Sequence, residues 1–233
     1  MFRRRRRAGE EEQAEVQAAE PAESTAESTS GKPAESDGSG PWDAAQAYPD
    51  VPRVDLGGLL LPIGPGFEVQ LSVQGDRMVA ATVLAEESAL LLQAFAAPRR
   101  GDLWDELRGD LKREVSAAGG EATEKQGPFG PELVAVRPGD GRAGKQQVRY
   151  LGVDGQRWCL RADISGRAAL DQAAAAVMEG VLRNVVVVRG DQPMAPKEPI
   201  ELRLPAEARQ QQDDPEVETF RPFERGPEIS EIR

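Results

Sequence analysis

The sequence predicts a single α+β domain, mainly antiparallel sheet with two principal helices packed on one face, over residues 42–205. Three observations carry this. Residues 67–84 form two alternating apolar/polar runs joined by a Gly-Asp turn, as the strands of a hairpin do. Residues 88–120 pass from a nearly continuous apolar run, through a proline, into an amphipathic helical stripe closed by two glycines. Residues 169–182 repeat Ala, Val and Leu at helical spacing. Residues 1–41 and 206–233 are rich in Ala, Glu, Pro, Ser, Gln and Arg and poor in apolar side chains. Such segments bury too little surface to offset their ordering entropy, which predicts disordered charged tails.

Order is expected to begin at Pro41, Trp42 and Asp43, with Trp42 and Tyr48 as aromatic anchors. Residues 54–63 read as a broken strand, interrupted at Gly57 and Gly58 and closed by Pro62. Gly64, Pro65 and Gly66 turn the chain. Phe67, Val69, Leu71 and Val73 then alternate with Glu68, Gln70, Ser72 and Gln74, the pattern of a strand buried on one face. After Gly75 and Asp76 the chain returns with Val79, Ala81 and Val83 in phase. Residues 89–97 are apolar on both faces, as in an interior strand, and Pro98 removes a ladder donor. Asp102 is placed to cap a helix whose first turn holds Asp105 and Glu106, suited to its dipole. Leu103, Trp104, Leu107, Leu111, Val115 and Ala118 form its buried stripe. Asp105–Arg108 and Asp110–Arg113 pair on its other face, and Gly119-Gly120 gives a left-handed stop.

Two short strands, residues 121–126 and 132–136, flank a Gly-Pro-Phe-Gly-Pro loop. Its Phe129 is either an exposed recognition residue or, the favoured reading, an aromatic folded back over the core. Residues 139–145 fit G-x-x-x-x-G-K, but Gln146 stands where a phosphate loop needs Ser or Thr. A strand pattern, not a helix, follows, so the loop reads as a hairpin connection. Asp154-Gly155 predicts a type I′ turn, with Leu151 opposite Trp158 and Tyr150 opposite Cys159. Arg157 and Arg161 then flank the Cys159 thiol. With no second Cys and no His, a structural cysteine is favoured over a reactive one. Ser165-Gly166 is read as the cap of a second helix with Ala169, Leu170, Ala173, Val177, Val181 and Leu182 as its stripe and Met178 adjoining. A buried strand over 185–189 and a last short strand carrying Ile200, Leu202 and Leu204 complete the domain.

Composition narrows the chemistry. The chain has no His and one Cys, which excludes a Ser-His-Asp triad, a Cys-His pair, the common zinc sites and an internal disulfide. Net charge is −11, made mostly at the ends: six cations meet nine acids in 1–41, and four meet eight in 206–233. The near-balanced middle indicates neither a nucleic-acid groove nor an acidic mimic. No apolar run reaches membrane-spanning length and no signal peptide is visible, so a cytoplasmic location is expected.

No catalytic residue, cofactor or metal ligand is assigned. The residues singled out for interaction are Arg3, Arg4, Arg5, Arg6 and Arg7, suited to nucleic acid or an anionic membrane surface, and Arg99, Arg100, Arg157 and Arg161, which together with Arg189 would serve an anion if they converge. Phe129, and in the C-terminal tail Phe220 and Phe223, are candidate anchors for a protein partner.

The stretches Arg53-Val-Asp-Leu-Gly, Leu92-Gln-Ala-Phe-Ala-Ala-Pro-Arg99, Leu103-Trp104, Gly127-Pro-Phe-Gly, Val153-Asp-Gly-Gln-Arg-Trp158 and Val187-Val-Arg-Gly-Asp191 resemble domain-of-unknown-function family 3710, an uncharacterised family of actinobacteria. The resemblance covers most of 42–205, implies a bacterial, cytoplasmic protein and transfers no catalytic residue. The function expected is a non-enzymatic binding or adaptor module that uses its charged tails to hold a protein partner. The alternatives are a small-molecule or nucleotide-handling enzyme without His chemistry, and a nucleic-acid-associated protein acting through the N-terminal arginines.

Overall fold

The computed structural model describes residues 40–99, 102–139 and 144–205. Both tail predictions lie outside these residues. Within them the chain is α+β, with two helices and a mainly antiparallel sheet of seven strands. Strands β4 (Glu68–Gln74), β5 (Arg77–Ala85) and β6 (Ser88–Ala96) form one meander. Strands β7 (Glu121–Gly127), β8 (Gly130–Arg137), β9 (Gln146–Asp154) and β10 (Trp158–Gly166) form another. β10 pairs with β6, so the order is β4-β5-β6-β10-β9-β8-β7. β6 is an interior strand, as its apolar run requires, and Ser88, Leu90, Leu92, Ala94 and Ala96 are buried.

Helix α1 (Leu103–Ala117) carries the chain from β6 in the middle of the sheet to β7 at its far edge. Leu103, Trp104, Leu111 and Val115 pack on Leu133, Ala135, Tyr150 and Cys159. Each such burial contributes about 1.5–3 kcal/mol. Helix α2 (Gln172–Asn184) packs instead with Leu90, Leu92, Leu160, Ala162 and Ile164. On β10, Cys159 belongs to the first cluster while Trp158 and Leu160 belong to the second. Successive strand residues point to opposite faces. The two helices therefore cover opposite faces of the sheet, which corrects the expectation that they share one. The faces are called front (α1) and back (α2). The cause is that the middle strands are apolar on both sides, and each face needs its own cover.

A second, four-stranded sheet, β1 (Trp42–Asp43), β11 (Val186–Val187), β3 (Leu59–Leu61) and β2 (Val54–Asp55), adds Leu56, Leu59, Leu61 and Val187 to the back-face core. Its β1–β11 pair is parallel, the one such pair among the described strands. Asp43 accepts a 2.8 Å hydrogen bond from Trp158 Nε1, and Arg53 Nε donates to the Asn184 carbonyl at the end of α2 at 2.8 Å. These two contacts pin the N-terminal segment. Residues 198–203 do not form a separate strand. They fit between β5 and β6 where the pair diverges, with Ile200 N bonded to Ala94 O and Leu202 N to Met78 O.

Three further expectations change. Asp102 takes a left-handed conformation (φ 80°) and its side chain makes no cap bond. Asp154 caps α1 instead, its carboxylate accepting from Trp104 N at 3.2 Å. The second helix begins later than Ser165-Gly166. β10 runs through Gly166, a 3-10 turn covers Arg167–Ala169, and Asp171 caps α2 by accepting from Ala174 N at 2.9 Å. Its buried stripe is Ala175, Met178, Val181 and Leu182, while Leu170 and Val177 are 76% and 49% exposed. The β9–β10 turn is wider than the expected type I′ turn: Asp154 pairs with Cys159 and Tyr150 with Asp163. Arg157 occupies the left-handed position (φ 69°), and Gly155 is required because a Cβ there would overlap the Trp158 ring. The register moves by four residues, an even number, so every side chain stays on its predicted face.

Candidate functional site

The register of the large sheet lines up one row across the front face. Thr82 lies opposite Leu91, Leu91 opposite Asp163, Asp163 opposite Tyr150, and Tyr150 opposite Leu133. α1 covers the Leu133 end. The other end opens into a hollow of about 300 Å³ lined by Thr82, Leu91, Arg137, Tyr150, Asp163 and Ser165. Apolar floor and polar rim thus come from five different strands.

The polar groups form a chain of contacts. Arg161, two residues before Asp163 on the same face of β10, donates from Nε and Nη2 to the Asp163 carboxylate at 2.8 and 2.6 Å. Its guanidinium carbon stands 5.3 Å from the centre of the Tyr150 ring, within cation–π range. Tyr150 is buried, and its hydroxyl accepts from Arg137 Nη1 at 2.8 Å. Burial pushes the Asp163 carboxyl above its ordinary value, against the pull of the Arg161 hydrogen bonds. Burial also works to lower Arg161, but the bonds to Asp163 carry it above its ordinary value. Two short charge-assisted bonds tie the guanidinium to the carboxyl. Arg137 differs. It is exposed, its partner is a neutral phenol, and it makes no ion pair among the described residues. Tyr150 receives a bond there and keeps its own proton to donate.

A larger concavity of about 440 Å³ lies on the back face beside the start of α2. Its charges close on one another. Arg149 donates to both Glu132 oxygens at 3.2 and 2.7 Å and lies 3.0 Å from Glu179. The hydrogen-bonding capacity of those carboxylates goes into holding β8, β9 and α2 together. The front hollow, with a guanidinium that bonds a phenol hydroxyl and no carboxylate among the described residues, is the better recognition surface.

The sequence candidates do not converge there. Arg3 to Arg7, Arg100, Phe220 and Phe223 lie outside the described residues. Arg99 is exposed after β6, and Arg157 sits in the β9–β10 turn, its carbonyl accepting from Ala97 N. Arg161 alone reaches the front face, where Asp163 engages it. Phe129 is partly buried on the back-face core, with the Arg183 guanidinium carbon 5.1 Å from its ring centre. Cys159 is fully buried, and burial first, then the Asp154 charge, pushes its thiol up, so no thiolate is available to react. Of the G-x-x-x-x-G-K loop, 140–143 lie outside the described residues, and the strand β9 follows it directly. Sequence reasoning missed Tyr150, Asp163 and Arg137. The signal was present in their phase, all three facing front, but a register wrong by four set Tyr150 against Cys159 instead of Asp163.

No described helix is long and apolar enough to cross a membrane. A family profile described as protein of unknown function (DUF3710) matches residues 40–211. The chain belongs to that family. The curated proteins contain no match to it.

Proposed function

We propose that the chain is a non-enzymatic binding module, an adaptor whose protein partner docks an acidic group into the front-face hollow while the charged tails hold that partner nearby. The observation that carries this is Arg137: a guanidinium at the mouth of an apolar-floored hollow, bonded to Tyr150 Oη at 2.8 Å and to no carboxylate among the described residues. An incoming carboxylate would take a charge-assisted bond from Arg137 and a second from the Tyr150 proton. A cytoplasmic location, where the single thiol stays reduced, belongs to the same proposal.

The test is co-purification from the native host of the full chain, its Arg137→Glu variant and residues 42–205 alone. A discrete protein held by the full chain, and lost both on Arg137→Glu and on tail removal with melting temperature unchanged, supports the adaptor. A protein set indifferent to both changes sinks it.

One observation favours a second reading, an enzyme without His. A buried carboxyl held above its ordinary value beside a phenol is a known acid/base arrangement. The bidentate bond to Arg161 speaks against Asp163 as a free base. A small molecule retained by residues 42–205 would choose this reading. Nucleic-acid binding through Arg3 to Arg7 predicts a steep salt dependence that disappears when those residues are removed.

A further inference from the structure

The seven-stranded sheet has two edges, and they are built differently. β7 carries Glu121, Glu124 and Lys125, and Glu124 is tied to α1 by Lys112 at 2.9 Å and Arg108 at 3.4 Å. Charges along an edge discourage further pairing. β4 carries one charge, Glu68, in seven residues, with no Lys, Arg or Pro. Its outer side has no strand partner among the described residues. A bulge between Ser72 and Val73 ends the regular stretch at Ser72, and Val73 beyond it is 60% exposed.

We propose that β4 pairs with β4 of a second copy, antiparallel about a two-fold axis through Gln70, joining two seven-stranded sheets into one. The sequence of the strand is self-complementary in that register. Val69 falls opposite Leu71, placing apolar groups together on the back face, and the exposed Val73 meets Phe67. Gln70 falls opposite its own copy, and a primary amide carries both donor and acceptor for a reciprocal bond. Glu68 falls opposite Ser72, so the two Glu68 carboxylates stand four residues apart along the ladder, roughly 14 Å. That exceeds the screening length of about 8 Å, and like charge does not oppose the pairing. On β7 the corresponding arrangement would bring charged side chains against one another. A single strand edge is a small interface, which sets a dissociation constant roughly between 1 µM and 1 mM.

Sedimentation equilibrium of the full chain from about 5 µM to about 0.5 mM reads the association. The expected result is a concentration-dependent dimer, with β4 amides gaining hydrogen-exchange protection as concentration rises. Gln70→Lys sets two like charges opposite each other and weakens the dimer up to about fivefold. Mixing Gln70→Lys with Gln70→Glu restores a dimer at least as tight as the original. Gln70 is exposed, and an unchanged melting temperature verifies the fold of each variant. A chain that stays monomeric throughout overturns the proposal. So does a dimer indifferent to both charge variants, or a monomer whose β4 instead takes up an extended peptide.

Discussion

Replacing Arg149 with methionine removes the cation that two carboxylates share on the back face. Glu132 is 6% exposed and receives both of its close bonds, 3.2 and 2.7 Å, from Arg149. Glu179 keeps a neighbour in Arg183 at 3.8 Å, so most of the damage falls on Glu132. Breaking a buried pair from one side costs about 3–5 kcal/mol, because the remaining charge is left uncompensated. The sign with pH follows. In the variant a buried carboxylate is left with no cation, and ionising it there is costly. Folding then favours the protonated carboxyl, so the penalty is full at neutral pH and fades as the pH is lowered. Urea unfolding followed by the fluorescence of Trp42, Trp104 and Trp158 measures it, at about pH 7 and about pH 5. The double variant Arg149→Met/Glu132→Gln should recover most of the loss. A single-variant cost below about 1 kcal/mol, an equal cost at both pH values, or no recovery would refute a buried charge as the cause.

Gly152→Ala places a Cβ inside the Trp104 ring and should cost about 1–3 kcal/mol by displacing the first turn of α1, read as a lower urea midpoint. Asp171→Ala should cost about 1 kcal/mol and Ser165→Ala much less, because Asp171 alone caps α2; equal losses would restore the earlier helix start. Met178→Ala should cost about 2–5 kcal/mol and Leu170→Ala under about 0.5 kcal/mol, which checks the rotated stripe by thermal unfolding. Asp154 is held above its ordinary value of 3.8 first by burial, so its protonated form favours folding at low pH and that contribution is withdrawn as pH rises through the folded value. Asp154→Asn keeps an acceptor for Trp104 N and should leave a stability–pH curve that declines less on leaving acid pH.

Element by element, local pattern identified what local physics decides. β4, β5 and β6 lie where alternation and the apolar run placed them, and α1 stops at Ala117, followed after its cap Ala118 by Gly119, whose φ of 75° fits the left-handed stop. What failed depended on distant partners. Asp102 has the local pattern of a cap, and nothing nearby in sequence announces Asp154, fifty residues after Trp104, as the acceptor for Trp104 N. The α2 stripe was rotated because Ala, Val and Leu occur around much of the helix, and only the sheet beneath selects Met178 over Val177. The two-faced placement of the helices was implicit in β6 and β10, since strands apolar on both sides require cover on both. The hollow itself depends on pairing across five strands, and a four-residue error in one hairpin hid it.

The most direct test of the binding surface is site-specific photo-crosslinking in the full chain. A benzophenone side chain replaces Leu91, on the floor of the hollow, or Val177, exposed on α2 away from it. The adaptor account predicts a discrete protein adduct at Leu91, absent at Val177 and abolished by Arg137→Glu. Adducts of equal yield at both positions, or none at Leu91 in the native host, would contradict it.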